Sequence, residues 1–461
     1  MGVTGELCRV ITATTFEKLG ADCVRRVKQA IQDGIAVAIA GSGEPPVKIL
    51  AAHVKAQGGA RQASVWGHGF RTSSVHAAYV NGVATHVLDF EPMWVPPTHA
   101  VSPTLPVALA LAESQGHSGR EVIAAVAKGM EIQGRIQFAG DQFEPERLRF
   151  HPPGVAGVMG AAVTAAHLLG LDAARLAHAL GIAASRAGAL LANIGSMTKA
   201  AHCGHAAASG LDAALLAGRG FTANAEIFEA ARGFVATYFP ERFDSEKLLA
   251  YGRPFRVVDP GLAIKRFPSQ FATHWAISAA LEARGRVRNA GAIERVVITA
   301  PVMNYIDRPR PENGLDGKFS FQYTAAAALL DGAVGIDSFS DRRRFSRDME
   351  ALLGKIELRQ DPSIPGDWRG MHVTVEVVMR DGSRHAATCH GPKGAWGQAQ
   401  LTDAEHEVKL RDCLRRGLDR NSLGTLLALL ARFEDLPPAA LRRAVRLMAS
   451  RRRARAAQRA G

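Results

Sequence analysis

The chain of 461 residues carries a formal net charge of +13, and 47% of its residues are hydrophobic but only 6% aromatic. That length exceeds the size at which a single hydrophobic core stops growing, so two domains are expected. No uninterrupted apolar run reaches about 18 residues, and no basic segment followed by an apolar one opens the chain, so neither a membrane span nor a secretory signal is expected.

Helical patterns dominate residues 1–262. Residues 118–121 (SGRE) have the sequence of a capping box, which predicts the start of a helix with one apolar face. Pro152-Pro153 and Gly170 bracket a Gly/Ala-rich segment, as expected for a helix that begins at proline and ends at glycine. The many alanines and glycines predict helices that pack closely through small side chains.

Strand patterns appear only within residues 263–400. Residues 295–300 (RVVITA) are a β-branched run, and residues 371–388 alternate valines before a turn at Asp381-Gly382, which predicts a hairpin. A helix is predicted between these strands, at 320–331. Residues 401–461 are helical again. The sequence therefore predicts a mainly α protein, in which an α+β domain (263–400) is inserted between a large helical domain (1–262) and the C-terminal helices (401–461).

The positive charge is concentrated at the C-terminal end, where eight arginines and no acidic residue follow Asp435. Such a tail can bind polyanions nonspecifically, but it indicates no specific nucleic-acid partner. The five cysteines are odd in number, widely spaced and without a CxxC motif, so neither a disulfide framework nor a cysteine zinc site is expected. Together with the missing signal and membrane segments, this composition predicts a cytoplasmic protein.

Four segments that interrupt the helical pattern carry histidine beside Gly, Pro or Lys. Imidazole has the unperturbed pKa closest to neutrality, and binding groups concentrate on loops held by a rigid scaffold. We therefore expect the four segments to converge on one pocket. The alternative is that each histidine only caps a helix or hydrogen-bonds within its own loop. The segments are 89–99 (DFEPMWVPPTH), 150–153 (FHPP), 199–205 (KAAHCGH) and 265–275 (KRFPSQFATHW).

The first two segments combine imidazole with proline. Asp89 and His99 flank a proline-rich loop that cannot be helical throughout, so it either directs both side chains to one point or serves as a rigid connection. His151 precedes a helix N-terminus, where free N–H groups and a partial positive charge would suit a carboxylate. Its alternative role is that of a helix cap.

The other two segments add lysines. Lys199 and His202 are three residues apart and share a face if the segment is helical. His205 extends that face, but without an HExxH motif or an evident third ligand no zinc site is expected. Lys265 and His274 open the second domain, at an interface where pockets commonly form. Since the sequence also lacks a Walker motif, a nucleophile elbow and a complete dinucleotide fingerprint, no metal and no cofactor are expected.

These same segments resemble the MmgE/PrpD family over residues 15–440. The resemblance rests on NGVATHVLDF followed by TH-x-V-SP, on KAAHCGHAAASGLDAALLA with RGF, and on KRFP ahead of THW. It implies a homodimer in which each chain has a large helical domain, a smaller α+β domain and an active site in the cleft between them. FHPP at 150–153, Arg308-Pro309 and SFQY at 320–323 resemble the cis-aconitate decarboxylases of the family more than its 2-methylcitrate dehydratases.

The resemblance also implies that Asp89, His99, His151, Lys199, His274 and Tyr323 belong to the active site. We assign catalysis to His99, His151, Asp89 and Tyr323, and the binding of substrate carboxylates to Lys199, His274, His202 and Lys265. One departure stands out, because the family commonly reads DFDDT where this chain reads DFEPM. Met93 thus replaces a threonine and its hydroxyl group.

The expected activity is that of a cofactor-independent lyase, which decarboxylates cis-aconitate to itaconate by proton transfer and an allylic shift. Its partner would be a small tricarboxylate. The alternatives within the family are dehydration of 2-methylcitrate and epimerisation of a related dicarboxylate. A non-enzymatic alternative is a polyanion-binding protein that uses the arginine-rich tail.

Overall fold

The structure, a computed structural model, describes residues 2–450. The first part of the chain is helical, with one antiparallel pair of short strands, β1 (Ala63–Val65) and β2 (Phe70–Thr72). Its helices are α1 (Val3–Ala13), α2 (Ala21–Gly41), α3 (Pro45–Gln57), α4 (Ser74–His86), α5 (Val101–Gln115), α6 (Gly119–Ala139), α7 (Pro152–Leu168), α8 (Ala173–Ala184), α9 (Met197–Gly218), α10 (Phe234–Tyr238) and α11 (Ser245–Leu249).

A four-stranded sheet and its covering helices follow. The strands β3 (Ile293–Ala300), β4 (Ile356–Gln360), β5 (Val373–Met379) and β6 (Arg384–Cys389) are ordered β4-β3-β5-β6. β4 runs parallel to β3, and the other two pairs are antiparallel. Gly382 turns the β5–β6 hairpin at a φ of +83°, which confirms the predicted hairpin. The helices of this part are α12 (Thr273–Arg284), α13 (Gly314–Gly317), α14 (Phe321–Asp331), α15 (Asp341–Arg344) and α16 (Arg347–Leu353).

The chain then returns to helix in α17 (Asp403–Leu414), α18 (Arg420–Ala431) and α19 (Pro438–Ala449). The predicted fold class, mainly α with a smaller α+β part, is confirmed. The arginine-rich tail begins later than the charge pattern suggested, because α19 includes the first three of its arginines. Among them Arg442 donates from Nε to the carbonyl oxygen of Glu113 at 3.0 Å. The other five lie outside the described residues.

The buried apolar side chains form two hydrophobic clusters. The first spans residues 7–262 and takes in 410–448, so the C-terminal helices pack onto the N-terminal ones. The second spans residues 263–395 and includes Met93. Within residues 2–450 no single helix is long and apolar enough to cross a membrane. Helices α2 and α3 reach that length and apolar composition only when taken together, and the pair is bent by 84°.

Two glycines allow α4 and α9 to pack closely. A Cβ atom added to Gly82 would lie 2.7 Å from the Cα of Gly204, and one added to Gly204 would lie 2.3 Å from the carbonyl oxygen of Tyr79. A side chain at either position would therefore push the helices apart. Their close approach places Lys199, in the first turn of α9, beside His86 at the end of α4.

Candidate active site

A cavity of about 310 Å³ is lined by residues from the N-terminal helical part and from the part that contains the four-stranded sheet. Its volume is at the small end of the range for ligand pockets, which suits a small molecule. One wall comes from the loops within 89–99, 145–153 and 191–199, and the other from residues 270–271 and 305–308 with Phe319 and Trp368. The structure thus brings Asp89, His99, His151 and Lys199 to one cavity.

Asp89 lies just after α4, at a φ of +50° that is uncommon for a residue other than glycine. Lys199 Nζ donates to its Oδ2 at 2.6 Å, and Lys265 Nζ donates to its Oδ1. Burial alone would raise the pKa of Asp89, but the charges of Lys199 and Lys265 hold that pKa well below its usual range. One carboxylate therefore faces two ammonium groups, which leaves a surplus of positive charge.

Three imidazole rings cluster beside this group. The ring centroids of His86 and His99 are 4.5 Å apart, those of His86 and His151 are 5.6 Å apart, and those of His99 and His151 are 6.3 Å apart. Burial lowers the pKa of all three histidines well below the usual value, and the charge of Lys199 lowers it further. At neutral pH these rings are therefore uncharged in this arrangement.

Glu91 connects two of the rings. His86 Nε2 lies 3.0 Å from Lys199 Nζ, and His86 Nδ1 lies 2.7 Å from Glu91 Oε1. Because an ammonium group can only donate, His86 accepts at Nε2 and carries its proton on Nδ1. Glu91 Oε2 accepts from the backbone N–H of Ser102 at 2.8 Å, and Oε1 lies 3.5 Å from His99 Nδ1. Burial raises the pKa of Glu91 to about 8, so at pH 7 this group is mostly an uncharged acid.

Sequence reasoning missed His86 and Glu91. Both stand within the HVLDFE motif, which was read only for Asp89. Their closeness to Asp89 in the sequence was a weak indication of a role in the site, since His86 lies three residues before Asp89 and Glu91 lies two residues after it. What could not be read was that the chain turns at Asp89 and folds both side chains back toward Lys199.

His202, Lys265 and His274 lie behind the residues that line the cavity. The Nδ1 atoms of His202 and His151 are 3.2 Å apart, and burial lowers the pKa of His202 to about 4. Lys265 is fully buried under Asp89. His274 packs against the ring of Phe271, which does line the cavity, and its Nε2 has no hydrogen-bond partner among the described residues.

Tyr323 is not brought to the cavity. It is buried in the second hydrophobic cluster, where its hydroxyl donates to the carbonyl oxygen of Ser338 at 2.5 Å. Its backbone N–H is capped by Ser320 Oγ at 2.9 Å, so the first turn of α14 directs the ring into the core. This arrangement gives no support to the predicted catalytic role of Tyr323.

The helix N-terminus after His151 also differs from the expectation. His151 precedes α7, whose first two residues are Pro152 and Pro153, and the N–H of Gly154 donates to the His151 carbonyl oxygen at 3.0 Å. Since proline has no N–H, the free donors expected for a substrate carboxylate are missing here. Only the partial positive charge of the helix end remains.

Arg308 and Met93 complete the cavity wall. The Arg308 guanidinium pairs with Asp316 and donates to the carbonyl oxygens of Tyr305 at 3.0 Å and Ile194 at 3.3 Å. The resemblance to the family includes Arg308 but implies no role for it. The backbone of Met93 pairs with Ala263, and its buried side chain presents a thioether where the family commonly has a hydroxyl.

Within residues 2–450, two groups of side chains have ligand atoms close enough for a metal ion, namely His86, Asp89 and His99, and His86, Glu91 and Cys203. In the first group both oxygens of Asp89 already accept from ammonium groups, whose charge would repel a cation. In the second group burial raises the pKa of both Glu91 and the Cys203 thiol, and a protonated acid or thiol is a poor ligand. Neither group fits a metal ion.

Comparison with known proteins identifies the family to which the chain belongs. The model of the MmgE/PrpD N-terminal domain matches residues 5–246, and that of the MmgE/PrpD C-terminal domain matches residues 267–429. The chain belongs to the MmgE/PrpD family. The chain is 32% identical to mouse cis-aconitate decarboxylase over 94% of its own length and 91% of the relative. The human cis-aconitate decarboxylase is also 32% identical, over 90% and 88% of the two chains. The 2-methylcitrate dehydratase of Cupriavidus necator is 25% identical over 70% and 71%.

Proposed function

We propose that this MmgE/PrpD protein is a carboxy-lyase that converts cis-aconitate to itaconate and carbon dioxide without a cofactor. The observation that carries the proposal is the surplus of buried cations at a small cavity that also contains uncharged imidazoles. The similarity to cis-aconitate decarboxylases over nearly the whole chain supports the choice of substrate.

The charges of the cavity suit a tricarboxylate. Lys199 and Lys265 outnumber Asp89, and Arg308 adds a third cation whose charge Asp316 partly balances. Glu91 contributes little negative charge at pH 7 because burial raises its pKa to about 8. Charge-assisted hydrogen bonds from Lys199 and Arg308 would hold the two carboxylates that the reaction retains.

The chemistry requires one bond to break and one proton to be added. In cis-aconitate the departing carboxylate is attached to a CH₂ group next to the double bond. When its C–C bond breaks, carbon dioxide leaves and the electron pair forms a new terminal alkene. The former double bond moves its electrons to the far alkene carbon, which accepts a proton and becomes the CH₂ group of itaconate. Each turnover therefore consumes one proton.

His99 and His151 are the candidate donors because both line the cavity. An uncharged imidazole is a weak acid, so the donor must first be protonated. A bound trianion would raise the pKa of a nearby imidazole and thereby favour the charged form. Binding of substrate is then coupled to proton uptake. Glu91 and His86 would hold the ring of His99 in place through the contact with His99 Nδ1.

A second candidate is the dehydration of 2-methylcitrate. It is favoured by the similarity to the dehydratase of Cupriavidus necator. Met93 also replaces the threonine that is common in the family, so the cavity lacks a hydroxyl group that could affect which reaction is catalysed. Incubating the purified protein with each substrate and identifying the products by NMR separates the two. Itaconate from cis-aconitate supports the decarboxylase, whereas methylaconitate from 2-methylcitrate with no itaconate from cis-aconitate would refute it.

The proposal includes independence from metals and nucleotides, and a homodimeric protein. Exhaustive chelation followed by dialysis should leave the turnover unchanged. Loss of turnover that one divalent ion restores would contradict this part. Light scattering on the purified protein tests the dimer, which a single species of about the monomer mass of 49.1 kDa would rule out.

A further inference from the structure

Three consecutive backbone carbonyls in the turn at Asp89 each accept a hydrogen bond from a buried lysine. The three lysines come from separate parts of the sequence and meet only in the folded chain. The bonds are Lys318 Nζ to Leu88 O at 2.8 Å, Lys265 Nζ to Asp89 O at 3.0 Å and Lys409 Nζ to Phe90 O at 2.8 Å.

This turn needs external support. It follows the C-terminal end of α4, where backbone carbonyls have no partner within the helix and where positive charge is favourable. Asp89 is in the left-handed region, a conformation that persists in a residue other than glycine only when its surroundings hold it there. The direction of the Asp89 carboxylate therefore depends on what fixes the carbonyls on either side.

Lys409 differs from the other two lysines because it lies on a C-terminal helix and contacts both the carbonyl oxygen and the ring of Phe90. Lys265 also binds the Asp89 carboxylate, and Lys318 also binds the carbonyl oxygen of Pro268 at 3.2 Å. Lys409 instead reaches in from α17, and its Nζ lies 3.9 Å from the centroid of the Phe90 ring. It does not line the cavity.

Asp33, on α2, fixes the position of Lys409. Its two oxygens lie 2.9 Å and 2.8 Å from Lys409 Nζ, and the second also lies 3.0 Å from His406 Nε2. Asp33 is fully buried and Lys409 nearly so. A lysine that binds both a buried carboxylate and a backbone carbonyl has little freedom to move. The position of α17 against α2 therefore helps to determine where the carbonyl group of Phe90 lies.

We propose that Lys409, oriented by Asp33, is a positioning residue that fixes the turn between Asp89 and Glu91, and so holds the Asp89 carboxylate at the cavity and the Glu91 carboxyl group against His86 and His99. The inference rests on the proposed function only in that the cavity is taken as the active site. It adds a contribution of the C-terminal helices to the reaction, although no described residue of those helices lines the cavity.

The test compares Lys409→Met with Lys28→Met. Lys28 is a matched control because it also joins α2 to the C-terminal helices, donating to the carbonyl oxygen of Ala431 at 3.1 Å and to Glu434 at 2.7 Å. Misplacing catalytic groups costs about 10²-fold in rate, so kcat of Lys409→Met should fall by that order while KM changes less than about threefold. Lys28→Met should keep both constants within about twofold of wild type.

Several outcomes would overturn the inference. One is a folded Lys409→Met with wild-type kcat, and another is an equal loss in Lys28→Met, since general loosening would then explain the effect. If Lys409→Met does not fold, Asp33→Asn decides, because it keeps the shape of the side chain but frees Lys409. A kcat lowered several-fold per folded molecule at unchanged KM supports the inference, and wild-type kcat refutes it.

The substrate in these assays is whichever of cis-aconitate and 2-methylcitrate the wild-type protein converts. Turnover of 2-methylcitrate alone would refute the proposed decarboxylation and still allow the same comparison of kcat and KM. The failure of one proposal is therefore distinguishable from the failure of the other.

Discussion

Two buried clusters in this protein are built from the same residue types but differ in which charges and hydrogen-bonding groups they leave without a partner. Around Asp33, one carboxylate meets one lysine and one histidine, and both carboxylate oxygens are engaged. Around Asp89, one carboxylate meets Lys199 and Lys265 beside three imidazoles, and His99 Nδ1 has no hydrogen-bond partner among the described residues. Only the second cluster borders the cavity.

The difference shows that Asp, Lys and His in contact do not by themselves make a site. The pair of Asp33 and Lys409 balances in charge, so it can hold two helices together and has no charge left for a ligand. The cluster at Asp89 has more cations than anions and opens to a cavity, so it can bind an anion and exchange a proton. A buried charge without a partner of opposite charge destabilises a purely structural cluster. It is useful in a binding site, where the ligand supplies the opposite charge.

The largest expected effect is on proton donation at the Asp89 cluster. Replacing His99 or His151 by glutamine removes the titratable group while keeping its approximate size. General acid catalysis contributes about 10²–10⁴-fold, so kcat of the donor variant should fall by that order. His178→Gln is a control, because His178 does not line the cavity and its Nδ1 lies within hydrogen-bond distance of the backbone of Ala223. Wild-type kcat in both variants, with unchanged melting, would mean that these histidines are structural.

The next largest effect concerns the surplus cation. Lys199→Met leaves Asp89 paired only with Lys265 and so removes the excess charge that would hold the substrate. Breaking a buried charge pair costs about 2–5 kcal/mol, so kcat/KM should fall at least about 30-fold, with a raised KM as part of the loss. Steady-state kinetics measure both constants. A variant with wild-type KM would show that Lys199 does not bind a substrate carboxylate.

The two clusters should also respond differently to acid. Burial lowers the pKa of His86, His99, His151 and His274, so below about pH 6.5 the unfolded chain binds protons that the folded protein does not. Each such group lowers the free energy of unfolding by about 1.4 kcal/mol per pH unit. Glu91 has the opposite effect, because burial raises its pKa in the folded protein to about 8 and it then binds a proton that the unfolded chain does not bind at this pH.

The free energy of unfolding should therefore fall from pH 6.5 to pH 5, before the pair of Asp33 and Lys409 is affected. The pKa of Asp33 is itself lowered, against the effect of burial, by the charge of Lys409, so its contribution is lost only as the pH falls below about 4. Denaturant unfolding at several pH values measures this. A stability that is constant between pH 6.5 and pH 5 would contradict the uncharged state of the buried histidines.

A smaller effect is expected at the cavity wall. Met93→Thr restores the hydroxyl that the family commonly has, and a single hydrogen bond contributes about 0.5–1.5 kcal/mol. The kcat/KM ratio between cis-aconitate and 2-methylcitrate should therefore change by less than about tenfold. Competition assays with product analysis by NMR give that ratio, and Met93→Leu controls for the loss of the thioether. Identical ratios in all three proteins would mean that position 93 does not select the substrate.

The smallest effect is expected at the C-terminus. Deleting the residues after Ser450 removes five arginines, which lie outside the residues that the structure describes. The kcat should stay within about twofold of wild type, while retention on a polyanion column should weaken because fewer cations contact the polymer. A large loss of kcat would show that the tail takes part in the reaction.

Local sequence rules were enough for most of the fold. The capping box at Ser118, the proline start of α7 and the turn at Gly382 depend on residues only a few positions apart, and each forms as predicted. The same holds for the segments around Asp89 and His151, where a break in helical periodicity marks a loop. The break expected at 199–205 is absent, because these residues lie within α9. Residue chemistry and a short-range pattern therefore indicated both the architecture and most of the cavity wall.

The tertiary structure alone decided which of these groups can act. Glu91 becomes an uncharged acid because it is buried, and Tyr323 does not line the cavity because the first turn of α14 points it into the core. Lys409 meets Phe90 although the two residues are 319 positions apart in the sequence. Burial, charge balance and contact between distant segments are properties of the packed chain, and no local pattern encodes them because each depends on how whole helices lie against one another.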